Sequence, residues 1–423
     1  MTTTATPVTL DARASGAWAR RFARTTPGLV VVIAVAVAAL CIIAGVVTAA
    51  AVNSRIAEQK AVLDHSEPFA YAAQNLYAAS SAADAAAATA FLSGGNQTPL
   101  MRARYQQALA SAASALADAT AGAPDAETRT ALAEVSAQLA TYTGLVEAAR
   151  ANNALGFPIG SAYLREASSS MQTKVLPGAE KVYAADLARV DQAQRRVGSL
   201  PMVGLALLVV TLAAIGFGSA IMFKRTNRTF NLGLVAAAVL VALVLVSIVG
   251  AVRMAADDLE RGRTEGTARF GQLAEARILA QQARTDETLQ LITRGDITAS
   301  EKSFYGHVDE LRARIGTASQ EAAEDVEKWV ASHRLQVAAY KAGDYPDAVA
   351  QALGTDPGAS GAQFAVVEST LRAAIEDARA TMRTHVSDAG GYLLWLPTGA
   401  LILTAAAAVA AVAGLWPRLK EFL

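Results

Sequence analysis

Few side chains in this sequence are placed to do chemistry, and those point to holding a charge. His333 lies one helical turn from Trp329 on an otherwise apolar stripe. A histidine so placed is either a buried residue bonded to a neighbouring helix or a point between helices that responds to pH or ligand. Arg150, Asn152 and Asn153, with Tyr163 and Arg165 beyond a loose turn, gather cations and amides. Such a set could grip a carboxylate, arginine offering two parallel donors, or simply cap a solvated turn. Asp344 and Tyr345 stand at the matching place in the second half and bring no cation, so the first half is the better candidate for a small ligand. There is no glycine-rich phosphate loop, no G-x-S-x-G, no H-E-x-x-H and no kinase signature. Four scattered histidines and one cysteine, Cys41, make no metal motif. No catalytic residue, cofactor or metal is expected.

The elements that must carry these residues come in a doubled order: an apolar span, a soluble stretch, and another span. The spans are Gly28–Val52, Leu200–Phe223, Phe230–Val252 and Tyr392–Trp416, and none contains Asp, Glu, Lys, Arg or His. Each is near the ~20 residues a helix needs to cross the hydrocarbon of a bilayer. The flanks are short and basic: Arg13, Arg20, Arg21 and Arg24 before the first span, Lys224, Arg225 and Arg228 in the link, and Arg418 and Lys420 at the end. The positive-inside rule assigns these to the cytoplasm. The expected order is a cytoplasmic tail 1–27, a span 28–52, an outer segment 53–199, a span 200–223, a cytoplasmic link 224–229, a span 230–252, an outer segment 253–391, a span 392–416 and a cytoplasmic tail 417–423. The first span is far longer than the apolar part of a signal peptide, although Thr48 and the alanines after it could fit a cleavage site. The chain is 53% hydrophobic with a formal charge of zero. That argues against nucleic acid as a partner, and the basic tail suits anionic lipid headgroups of the bilayer.

Both outer segments read as amphipathic helices. In the first, Met101, Tyr105, Ala108, Ala112 and Ala115 form one stripe, Leu132, Val135, Leu139, Tyr142 and Val146 another, and Tyr183, Leu187, Val190 and Val197 a third. In the second, the stripes are Phe304, Val308, Leu311, Ile315; then Val326, Val330, His333, Val337, Tyr340; then Leu371, Ile375, Ala378, Met382, His385. The alanine run 82–90 permits close helix approach. Thr98 with Pro99, Thr298 with Glu301, and Thr317 with Gln320 read as helix starts. Gly122 to Asp125 reads as a turn, and Gly156–Gly160 and Gly343–Gly361 as looser breaks. Pro68 and Pro177 fall within long helices and should kink them. The expected fold is an all-α membrane protein with four transmembrane helices and two extracytoplasmic antiparallel four-helix bundles in tandem, the first and last helix of each continuous with a span. Gly95 answers Gly295 and Tyr105 answers Tyr305, 200 residues on; Tyr142 to Gly156 matches Trp329 to Gly343. These spacings suggest an internal duplication, although any two bundles of this length could align so.

Span, bundle and span together resemble the four-helix-bundle sensor modules of bacterial chemoreceptors and sensor kinases, used twice. The stretch Gly156 to Ala167, and Trp329, His333, Gly343 to Tyr345 and Ala348, look like segments of actinobacterial four-span proteins similar to the GlnX-type membrane protein. That resemblance implies a link between an extracytoplasmic amino-acid-binding lipoprotein and a soluble Ser/Thr kinase. The leading expectation is a non-enzymatic transmembrane sensor of the plasma membrane that passes an outer signal to a cytoplasmic partner. A scaffold of the envelope is the alternative. A transporter subunit is disfavoured, because spans without ionisable residues offer no ion path. Assembly into a homo-oligomer stays open.

Overall fold

The computed structural model describes residues 26–93, 99–226, 231–293 and 295–420. They are helical apart from short turns, with no strand among them. Thr98, Gly95, Arg228 and the basic N-terminal arginines lie outside the described residues. The helices are α1 (Thr26–Ala61), α2 (Glu67–Leu92), α3 (Pro99–Gly122), α4 (Ala126–Ala154), α5 (Ile159–Ser170), α6 (Leu176–Val197), α7 (Met202–Thr226), α8 (Leu232–Arg261), α9 (Ala268–Thr293), α10 (Thr298–Ile315), α11 (Gln320–Lys341), α12 (Tyr345–Leu353), α13 (Ser360–Leu393) and α14 (Leu396–Lys420). Three π-helical turns, Val62–Ser66, Met171–Val175 and Gly262–Thr267, join α1 to α2, α5 to α6 and α8 to α9.

Pro68 and Pro177 each stand two residues after the end of one of these π turns, at the second residue of the helix that follows. Proline removes one N–H from the helix ladder, and the wider turn before it absorbs the mismatch without interrupting the helix. Helical runs extend from Gly28 to Leu92, across Pro68, and from Leu232 to Thr293, which contains no proline. The expected continuity fails at the other two spans. Residues 198–201 separate α6 from α7, and a turn at 394–395 separates α13 from α14. Pro201 explains the first break, since the residue before a proline is pushed out of helical geometry.

Four helical runs are long and apolar enough to cross a membrane. Their apolar parts, α1, α7, α8 and α14, belong to one of two compact units. Small residues let these helices approach. A Cβ on Gly45 would strike the Thr404 side chain, one on Gly204 would lie 2.8 Å from Thr48 Oγ1, and Gly233 and Gly414 pack backbone to backbone. Asn231 Nδ2 donates to the Gly414 carbonyl at 2.9 Å, and its Oδ1 accepts from Gly233 N, so one amide both caps α8 and ties it to α14. Close approach of small residues and interhelical hydrogen bonds are what hold helices together where lipid removes the hydrophobic drive.

The second unit, residues 59–195 and 259–387, contains both outer segments. They share one hydrophobic core, running from Phe69, Leu76 and Tyr142 to Phe304, Trp329 and Leu371. The two segments thus pack against each other through this core as well as being joined by the short link. α2 and α9 lie side by side, with Gln282 Nε2 donating to Tyr77 Oη at 3.1 Å. The flanking contacts are reciprocal. Glu67 and Tyr71 of α2 bond Arg379 and Glu376 of α13. At positions 200 residues on, Thr267 bonds Gln194 of α6, and Gly271 packs on Leu187 of α6. The stripes face this core: Leu132, Val135, Leu139, Tyr142 and Val146 are buried, as are Phe304, Val308, Leu311 and Ile315. Most of the alanine run 82–90 is buried too, with Ala83, Ala85, Ala87, Ala88 and Ala90 in the core.

Several helix starts differ from expectation. Ser319, not Thr317, caps α11, its Oγ accepting from Ala322 N at 3.2 Å. Asp296 accepts from both Thr298 N and Thr298 Oγ1, so Glu301 is not drawn into a capping box. The break expected over Gly343–Gly361 holds a short helix, α12, capped by Asp344. Asp125 caps α4 through Thr128 N at 2.7 Å.

Candidate functional site

In the second outer segment, polar side chains from four helices meet inside the core. Glu287 of α9 is fully buried. Its Oε2 meets Arg284 Nη1 at 2.5 Å, one helical turn back. Its Oε1 lies 3.0 Å from His333 Nδ1 of α11 and accepts from Ser360 Oγ, at the first residue of α13. Trp329 Nε1 donates to Ser360 Oγ at 3.1 Å and, more weakly, to Glu287 Oε2 at 3.3 Å. The other ring nitrogen of His333, Nε2, lies 2.9 Å from Glu301 Oε1 of α10. The His333 ring stacks on Phe304 with centroids 3.7 Å apart, and Phe304 meets Trp329 edge-on.

The charges balance. With His333 protonated, two cations (Arg284 and His333) face two anions (Glu287 and Glu301). Burial opposes the charge on His333, but the hydrogen bonds to Glu287 and Glu301, with their charges, outweigh it and raise its pKa to about 9. Burial also opposes the charge on Glu287, and Arg284, His333 and Ser360 outweigh it, lowering its pKa to about 2. Both partners are therefore ionised at neutral pH, and both ring nitrogens of His333 act as donors. Arg284 also donates from Nη2 to the Ala352 carbonyl in the last turn of α12, at 2.7 Å. The Arg284–Glu287 pair thus places a cation at the C-terminus of α12 and an anion at the N-terminus of α13, each favoured by the helix dipole. It pins the break between those helices. His333 is thus buried and bonded to two neighbouring helices.

The residues grouped around the loose turn of the first segment do not converge. Arg150 pairs with Glu147 at 2.7 Å on the surface. Asn152 Nδ2 donates to the Ala148 carbonyl, and Asn153 Nδ2 to the Phe91 carbonyl at 3.1 Å, closing the end of α2. Tyr163 and Arg165 are exposed. Only Arg150 lines a cleft, between α2, α3, α4 and α5. At the matching place of the second segment, Asp344 caps α12 and Tyr345 Oη donates to the Leu291 carbonyl at 2.9 Å.

Sequence reasoning found His333 and Trp329 but missed Arg284, Glu287, Glu301 and Ser360. An Arg and a Glu three residues apart on a helix read as a surface pair. The signal lay in their place, at the register of the alanine-rich buried run 200 residues earlier. One buried carboxyl of that run is Asp84. Burial raises its pKa to about 6, partly offset by the Ser168 hydroxyl at 2.7 Å.

No curated protein sequence and no solved structure matches the chain. One family match exists, and it falls on the first outer segment: residues 58–195 match the family described as an actinobacterial sensor domain.

Proposed function

We propose that the chain is a non-enzymatic transmembrane signal transducer of the plasma membrane. Its termini and its short link would lie in the cytoplasm and both large segments outside. The observation that carries this reading is the sensor-domain match over residues 58–195 on a chain with four spans. Continuous helical runs, Gly28–Leu92 and Leu232–Thr293, give a change in an outer segment a covalent path into a span. Such a change transmits only if the outer event favours one of two helix arrangements. The break between α12 and α13, held by the Arg284–Glu287 pair, is an element that could take two arrangements. The signal fits amino-acid availability read through an extracytoplasmic binding lipoprotein, and the receiver fits a soluble Ser/Thr kinase. Co-purification of the tagged chain from native membranes tests both partners. Recovery of neither a kinase nor a solute-binding protein would refute the relay. Single cysteines placed at Arg150 and Arg225 in a Cys41→Ser background test the topology with an impermeant thiol reagent. The reading requires labelling at position 150 in intact cells and at 225 only after lysis.

A further inference from the structure

Shared landmarks pair the residues of the two outer segments. The π turns before α2 and α9 begin at Val62 and Gly262, and residues 81–90 and 281–290 have the same order of buried and half-buried positions. α4 and α11 both end next to a glycine of positive φ, Gly156 at 71° and Gly343 at 82°. Fourteen residues before each glycine stands a fully buried aromatic, Tyr142 or Trp329. In this register Asp84 stands where Arg284 does, Ala87 where Glu287 does, and Val146 where His333 does. Each segment thus buries a charged residue at the same place on its first outer helix. Arg284 has its counter-ion one turn on, in Glu287. Asp84 has an alanine there.

Asp84 is 3% exposed. Its Oδ2 accepts from Ser168 Oγ of α5 at 2.7 Å, and Gln172 Nε2 in the π turn Met171–Val175 donates to the same Oγ at 3.5 Å. Tyr142 of α4 and Tyr105 of α3 also face the carboxyl. The Tyr142 hydroxyl makes no hydrogen bond of normal geometry among the described residues. These neighbours are all neutral, and among the described residues no cation bonds or pairs with Asp84. Beside it on the two helices, Ala83, Ala87, Ala167 and Met171 are buried. A carboxylate so enclosed takes up a proton rather than keep an unpaired charge. The contact that holds it joins α2, which runs on without interruption into α1, to a helix that ends three residues later in a π turn. Turns of this kind are where a helix bends.

We propose that Asp84 is a proton-binding site through which the first outer segment responds to acidity outside the cell: with the proton bound α2 and α5 stay packed, and with the proton lost their contact loosens beside the π turn. The second segment carries the counter-ion of its buried charge covalently, and the first takes a proton from solution. The inference deepens the transducer reading, and it rests on that reading for the side of the membrane on which the proton is sensed.

The sign follows from burial, which raises the Asp84 pKa to about 6 from 3.8. The packed form is favoured fully below 3.8, and that advantage is lost as the pH rises to 6. The test is native-state hydrogen exchange of the full chain in detergent from pH 4 to 8, for the wild type and Asp84→Asn. The ratio of their rates cancels the pH dependence of exchange itself. Asp186, which burial also raises to about 6 against the pull of Arg189, is common to both proteins. At amides around residue 84 in α2 and residue 168 in α5, the ratio should climb about a hundredfold between pH 4 and 6, tenfold for each unit, and level off above. Around residue 284 in α9 it should stay flat. Infrared difference spectra should show a protonated carboxyl at pH 5 that is gone at pH 7.5 and that Asp84→Asn lacks. Ser168→Ala removes a donor to the charged form and should move its loss to higher pH. A flat ratio in α2 and α5, an equal climb in α9, or no such carboxyl at pH 5 would overturn the proposal. These measurements involve no partner, so their failure leaves the relay standing, and failure of co-purification leaves the proton site standing.

Discussion

Raising the pH should unlock the His333 network. The groups that face His333 are Glu287 and Arg284 from α9, Glu301 from α10 and Ser360 from α13. Its pKa of about 9, against the ordinary 6.5, corresponds to about 3 kcal/mol of stability. The sign follows from the direction. A histidine whose pKa is raised on folding contributes fully below 6.5, and that contribution is lost as the pH rises through 9. Each pH unit in that window removes about 1.4 kcal/mol at most. The assay is unfolding of the full chain in detergent from pH 6 to 10, for the wild type and for His333→Gln. All other groups are common to both proteins, so the difference between the two curves isolates the imidazole. Relative to the variant, the wild type should lose about 3 kcal/mol across the window. Histidine-selective NMR gives a direct check, because only His65, His307 and His385 share the spectrum. Parallel stability curves, or a His333 ring already neutral at pH 8, would refute the balanced-charge account.

Other outcomes follow from the same geometry. Glu287→Ala leaves Arg284 and His333 buried without their shared anion and should destabilise the chain by about 3–5 kcal/mol at neutral pH, read by chemical denaturation. Asp84→Asn should do the reverse. The Asp84 pKa is raised to about 6 from 3.8, so its stability is present below 3.8 and lost as the pH rises through 6. The amide keeps an acceptor for Ser168 and should stabilise the protein by up to about 3 kcal/mol at pH 7.5, with a flatter profile between pH 4 and 6. Gly233→Val would press a side chain on the Ala410 carbonyl and on Gly414. Overpacking of that kind should cost about 1–3 kcal/mol in detergent thermal stability.

The fold was legible wherever burial leaves a local mark. Four stretches without a charge became the apolar parts of α1, α7, α8 and α14. The stripes of α4 and α10 became core, because a spacing of three and four residues can face only one side of a helix. Gly156 and Gly343 marked helix ends, since both need a positive φ that other residues resist. The network was legible only in part. Trp329 and His333 stood out on an apolar stripe, but their partner Glu287 lies 46 residues from His333 and 73 from Ser360. No local pattern marks a buried carboxylate whose compensating charges come from other helices. Glu301 shows the same limit. Its place three residues after Thr298 fits a capping box, but Asp296 takes Thr298 and Glu301 bonds His333 across the core instead. Pro68 and Pro177 were correctly placed within helices, but a π turn next to proline has no signature in the residues that form it.

The contact of α2 with α9, flanked by reciprocal contacts at positions 67 and 267 and at 71 and 271, has the form of a two-fold dimer made from one polypeptide. A dimer of identical chains must place the same residue on both sides of its axis, so any change in a pocket is made twice. Two segments of one chain are free of that constraint. The two segments differ accordingly, one carrying Glu287 and His333 where the other carries Ala87 and Val146. Unlike subunits normally have to find each other and be made in equal amounts. Here stoichiometry and pairing are settled at synthesis, and asymmetry is inherited with the chain.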